Sequence, residues 1–151
     1  AQMDRFALQF RLGYLSAENE MEILSSQIQA HPIEQIQPCV TVEDILTLKQ
    51  QAKQVRVSPE LKRYVVDIVN ATRQATGVQL GASPRGSIAL MKVAQALALF
   101  DGEAFVSPDH IQEVAVPVLA HRLVMEPQAR FSGQTAEQVV ADIINDLAVP
   151  A

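Results

Sequence analysis

The amino-acid sequence predicts a mainly α protein, a helical bundle of about six helices preceded by one stray β-strand. Three observations lead there. From Ser16 onward, apolar residues recur at helical spacing in most long segments. Ser-Pro pairs at 58–59, 83–84 and 107–108 mark helix starts, because serine caps a helix and proline suits its first position. Residues 5–14 alone follow a period of two.

In that first stretch Phe6, Leu8, Phe10 and Leu12 alternate with Ala7, Gln9 and Arg11 up to Gly13, the pattern of a half-buried strand. No partner strand is evident elsewhere, and one strand alone is not stable. Its sheet is therefore expected upstream, which makes this chain the C-terminal part of a longer protein. Ser16 caps the first helix, with Glu18, Glu20 and Glu22 near its positive end and Met21, Leu24 and Ile28 on one face. His31-Pro32 is expected to end it, and residues 32–40 form an irregular connector. Thr41 opens a helix whose stripe Val42, Ile45, Leu48, Ala52 and Val55 is expected to be buried. Ser58-Pro59-Glu60 opens a third, with Leu61, Tyr64, Val65, Ile68, Thr72 and Ala75 facing inward and Gly77 closing it.

The stretch Gly81-Ala82-Ser83-Pro84-Arg85-Gly86-Ser87 then leads into a helix reaching Phe100, in which only Lys92 and Gln95 are polar after Ile88. Such a helix is expected to have neighbours on each side. Arg85 sits in its first turn, where the helix dipole disfavours a cation. Either an anion, most simply a phosphate, docks there between the free N–H groups and the guanidinium, or Arg85 is a solvated side chain. Ser107-Pro108-Asp109 starts a fifth helix, kinked or split by Pro117, with Ile111, Val114, Val118 and Leu119 inward. His121 and Arg122 near its end read as structural, being cations at a favourable terminus. Thr135 with Gln138 forms a capping box for the last helix, whose apolar set is Val139, Val140, Ile143, Ile144 and Leu147.

Composition excludes several classes. A net charge of −5 argues against a nucleic-acid surface, and the chain contains no apolar run of membrane-spanning length. The single cysteine, Cys39, cannot form an internal disulfide; it fits a reducing cytoplasm and is expected to be a small buried hydrophobe. The three histidines have no ligand spacing, so no metal site is expected. Gly81 and Gly86 imitate the spacing of a P-loop, but Ser87 and Ile88 stand where Lys and Ser or Thr are needed. The chain by itself lacks the parts that cleave ATP.

Asp4-Arg5-Phe6, the run ending Leu12-Gly13-Tyr14, Ala71-Thr72-Arg73, Leu80-Gly81-Ala82-Ser83-Pro84-Arg85 and Pro117-Val118-Leu119-Ala120-His121-Arg122-Leu123 follow in one order. In that order they resemble the C-terminal part of a MoxR-type AAA+ ATPase across nearly the whole chain, and the Gly-Ala-Ser-Pro-Arg run is the most specific element. Gly86 stands where that family usually has Ala, and Leu15 where it has Pro. The resemblance implies that residues 1–15 are the remnant of an AAA+ α/β core and that residues 16–151 are the helical lid. It implies ATP and Mg2+ as ligands of the intact protein, with none bound by this fragment. Arg85 corresponds to the nucleotide-binding sensor-2 arginine and Arg5 to the catalytic arginine finger; without the resemblance Arg5 reads as a surface residue flanking a strand. The implied partners are copies of itself in a ring, a hexamer, and a client or a protein with a von Willebrand factor A domain. The implied activity is cytoplasmic, chaperone-like remodelling or maturation of other proteins by ATP hydrolysis. The alternative is a free-standing helical protein-interaction or regulatory module without ATPase activity.

Overall fold

The computed structural model describes residues 3–28 and 31–150. They fall into two compact units, one of Phe10–Leu48 and one of Ala1–Gln9 with Lys49–Ala151.

In the smaller unit, α1 (Ala17–Ser26) starts at Ser16, whose hydroxyl accepts the Asn19 N–H at 3.3 Å. It stops at Ser26, short of His31-Pro32. Ser25 and Ser26 turn their hydroxyls onto the carbonyls of Met21 and Ile23 at 2.8 and 2.7 Å, which weakens the last turn. A 3-10 turn follows at Pro32–Gln35. Next, α2 (Val42–Gln54) starts in this unit and ends in the other. Every residue from Phe10 to Leu48 whose burial is described is exposed, including Cys39. The expectations of a buried Cys39 and of a buried stripe at Val42, Ile45 and Leu48 are thereby corrected. The reason is size, since a unit of about 40 residues or fewer does not close a core of its own.

The larger unit holds the core. Its elements are α3 (Pro59–Gln74), β1 (Val78–Leu80), α4 (Pro84–Phe100), α5 (Pro108–Leu119), β2 (Val124–Met125), α6 (Pro127–Phe131) and α7 (Ala136–Asp146). Helices α3, α4, α5 and α7 pack around Ile68, Val69, Leu90, Ile111, Val118, Leu119 and Val140, all fully buried. Just after α2, Val55 joins this core, and its carbonyl accepts from Gln95 Nε2 at 2.7 Å. Strands β1 and β2 pair antiparallel, Val78 opposite Met125 and Leu80 opposite Val124. Gly77, at φ +81°, makes the turn into β1, and a Cβ there would strike Gln134 and Ala129.

Three helix starts occur at the Ser-Pro pairs, and the Thr135–Gln138 box closes in both directions at 3.2 Å. Helix α5 runs through Pro117 to Leu119 and tightens into a 3-10 turn at Ala120–Arg122. Two further expectations differ from what is seen. Helix α4 buries one stripe, Gly86, Leu90, Ala94 and Ala98, while Ile88 and Phe100 stay exposed. Helices α3 and α5 pack against that stripe, three of whose four residues are small. The alternation in residues 5–14 also forms no strand here. Met3–Arg5 is a 3-10 turn, and residues 8–16 have no regular structure. A strand exists only where a neighbour takes its N–H and C=O groups, and the ladder between β1 and β2 does not include this segment.

Candidate nucleotide-contact site

The start of α4 is held from behind by α3. Thr72, fully buried, donates its hydroxyl to the Val69 carbonyl at 2.6 Å and accepts the Ala82 N–H at 3.0 Å. Arg73 donates from Nε to the Ala82 carbonyl at 2.9 Å and from Nη1 to Asn70 Oδ1 at 3.0 Å. Both main-chain groups of Ala82 are thus gripped by neighbouring α3 residues. Gly81 makes this possible, because a Cβ there would lie 2.6 Å from Arg73 Cα. The Ala-Thr-Arg and Gly-Ala-Ser-Pro-Arg runs, separate in sequence, therefore form one clamp.

The clamp presents the N-terminal end of α4. Ser83 caps it, its hydroxyl accepting the Arg85 N–H at 3.2 Å. The Arg85 side chain is 66% exposed. A negative side chain of the same protein lies at this spot. Asp4 accepts from the Ser83 hydroxyl at 3.3 Å, and its Oδ2 lies 3.9 Å from Arg85 Nη1. A carboxylate at a helix N-terminus is favoured by the dipole, and it offsets the cost of a cation in the first turn.

Asp4 is held in turn by Arg122, whose side chain is only 2% exposed. Arg122 Nη1 donates to Asp4 Oδ1 at 2.7 Å and to the Asp4 carbonyl at 2.6 Å. Its Nη2 donates to the carbonyls of Phe6 and Ala7, and its Nε to the Val118 carbonyl at 2.7 Å. His121 Nε2 lies 3.2 Å from the Phe6 carbonyl, and the Gln9 N–H donates to the Pro117 carbonyl at 2.8 Å. Arg5 lies within this fastened 3-10 turn and is exposed. The structure thus ties the segment bearing Arg5 to the helix bearing Arg85 through Asp4. Sequence reasoning singled out both arginines and missed Asp4 between them. It read Arg122 as structural without finding its partner, for the pair is separated by 118 positions and no local pattern marks it.

Several other titratable groups serve helix ends. His110, buried, accepts the Ser107 N–H on Nδ1 at 2.9 Å and faces Asp101 Oδ2 with Nε2 at 3.2 Å, which closes a capping box for α5. Glu60 has its carboxyl held below the usual range by its own main-chain N–H and by Ser58. The same holds for Glu18 with its own N–H and Ser16, and for Asp44 with the N–H and hydroxyl of Thr41. Among the described residues no group of three or more His, Cys, Asp or Glu is arranged to hold a metal ion. No helix among them is long and apolar enough to cross a membrane.

Residues 70–143, which contain the whole clamp and Arg122, match the family described as the AAA lid domain. Over 99% of its length the chain is 46% identical to the uncharacterized protein YeaC of Bacillus subtilis, covering 47% of it. It is 34% identical to Chaperone MoxR1 of Mycobacterium tuberculosis, covering 42% of that protein. The crystal structure of a candidate ATPase from Cytophaga hutchinsonii superposes with a TM-score of 0.86 at 30% identity, over 99% of this chain and 48% of that one. The lid match places the chain in the AAA+ class. Its relatives and the solved structure make it a lid-bearing part of MoxR type. The chain spans about half the length of the curated relatives that it matches from end to end.

Proposed function

We propose that this chain is the lid-bearing portion of a MoxR-type AAA+ ATPase that works as a homo-oligomeric ring, a hexamer. In this reading residues 1–15 finish the α/β core and residues 16–151 form the lid. ATP hydrolysis is coupled to remodelling or maturation of client proteins in the cytoplasm, with a von Willebrand factor A-domain protein as partner. The name of the Mycobacterium relative, a chaperone, supports that part of the reading.

One observation carries the nucleotide assignment: Arg85 stands exposed at a helix N-terminus that already accommodates a carboxylate. A terminal phosphate has the same charge sign and the same need for N–H and guanidinium donors. Arg85 is then the sensor-2 residue, binding ATP held by its own chain, and Arg5 the finger that reaches the nucleotide of the next subunit. Phosphoryl transfer builds negative charge on oxygen, and a fixed guanidinium stabilises it. The described residues offer no acidic cluster for Mg2+, so its ligands are assigned to the P-loop part of the intact protein.

The test is Arg85→Ala in the intact protein. ATP turnover is expected to fall by roughly 10²–10³-fold, the loss found when one charge-stabilising donor is removed. Thermal stability is expected to change little, because the side chain is mostly in solvent. Turnover at the parental rate would sink the assignment.

A further inference from the structure

Arg122 makes five hydrogen bonds, and four of them go to one short segment: two to Asp4, one to Phe6 and one to Ala7. Those residues flank Arg5 on both sides. Only the fifth, from Nε to Val118, closes on its own helix. A guanidinium with this planar fork orients what it binds, because the acceptors must lie where the donors point. The Asp4 carboxylate is shared: while bonded to Arg122 it also accepts from Ser83, the cap of α4, and faces Arg85. His121 and the Pro117 carbonyl add two further contacts to the same segment.

We propose that Arg122 and Asp4 are positioning residues that fasten the Arg5-bearing segment to the N-terminal end of α4, so that Arg5 and Arg85 move as one body. This deepens the ring-ATPase reading and rests on it. The arginine that meets a subunit's own nucleotide and the arginine that reaches the next subunit then share one mount. A lid displacement felt at Arg85 is delivered to the neighbouring site through Arg122, and no separate signalling element is required. Neither Arg122 nor Asp4 touches the nucleotide in this scheme. Both act through Arg5.

The experiment measures kcat and KM for ATP in the intact protein carrying Arg122→Lys, Asp4→Asn and Arg5→Ala, singly and with each of the first two combined with the third. Lysine keeps the charge, but one ammonium cannot span Val118, Asp4 and Phe6 together. Arg122→Lys is expected to lower kcat roughly 10²-fold, the scale of an ångström misplacement, with KM moved by less than about threefold. In the Arg5→Ala background the same change is expected to cost less than about threefold more, because residues acting as a unit are non-additive. Asp4→Asn follows the same pattern with a smaller loss, and it carries the test alone if thermal melts show Arg122→Lys unfolded. A full additional loss on top of Arg5→Ala overturns the coupling while leaving the finger standing. Unchanged turnover in Arg5→Ala itself removes the finger, and the coupling with it.

Discussion

Gly81→Ala probes the clamp that sets the start of α4. Gly81 does not adopt a left-handed conformation, so its backbone tolerates alanine and only its surroundings object. A Cβ would stand 2.6 Å from Arg73 Cα, 2.7 Å from Arg73 N and 2.8 Å from Arg73 Cγ, where ordinary contact begins near 3.4 Å. Two of those atoms are main chain of α3 and cannot swing aside. If the loop retreats, the bonds from Thr72 and Arg73 to Ala82, at 3.0 and 2.9 Å, are stretched out of range. Each is worth about 1 kcal/mol net. If the loop holds its place, overpacking costs about 1–3 kcal/mol instead. The two routes together bracket a destabilisation of about 1–3 kcal/mol, read from the urea midpoint at unchanged m-value. For a chain of this length that corresponds to a thermal midpoint lower by about 2–12 °C. An open loop position would respond in the opposite direction, since glycine-to-alanine there gains about 0.4–1 kcal/mol. A neutral or stabilised variant would refute the close approach and with it the account of how α3 fixes the start of α4.

Three further outcomes follow from neighbouring contacts. Thr72→Val removes the acceptor of the buried Ala82 N–H and is expected to cost about 1–3 kcal/mol, with faster hydrogen exchange at Ala82, while Thr72→Ser retains the slow exchange. Gly86→Ala is expected to fall short of the roughly 1 kcal/mol that helix propensity promises. The added methyl would meet Ala82 Cβ at 3.2 Å and Leu119 Cδ2 at 3.3 Å, so a full gain in denaturant unfolding would contradict that packing. Asp44 is held below the usual carboxylate range by the Thr41 N–H and hydroxyl. Its contribution to the first turn of α2 is therefore complete above the ordinary carboxylate value and is lost as pH falls through the lower folded-state value. An NMR titration is expected to show Asp44 protonating below a free aspartate and the Thr41 amide shifting with it; an ordinary midpoint would disprove the cap.

Helix starts were legible because a cap is local. Ser16, Ser58, Ser83 and Thr135 each accept an N–H within three positions, so a window of four residues contains the whole interaction. Core positions of α3 and α5 were legible for a similar reason: Leu61, Tyr64, Val65 and Ile68, like Ile111, Val114 and Val118, repeat at the period of the helix that buries them. Burial of Val42, Ile45 and Leu48 was not, because periodicity states which face of a helix is apolar and not what covers it. The pairing of β1 with β2 also escaped notice. Strands of three and two residues are too short to show alternation, and their partners lie more than forty positions apart.

The site divides along the same line. A cation in the first turn of α4 departs from a local rule, and that departure singled out Arg85 in the sequence. That Asp4 lies beside it, brought in by Arg122, only the fold could supply. The geometry then ranks the two arginines around one carboxylate. Arg122 is buried and 2.7 Å from Asp4, whereas Arg85 is two-thirds exposed and 3.9 Å away. An exposed pair at that distance contributes little and is readily exchanged, while a buried one breaks only at high cost. Asp4 is therefore anchored by Arg122 and merely neighboured by Arg85. That inequality supports the sensor role proposed for Arg85, for a side chain that turns to an incoming phosphate has to be the loosely held one, on a mount whose own charges are already satisfied.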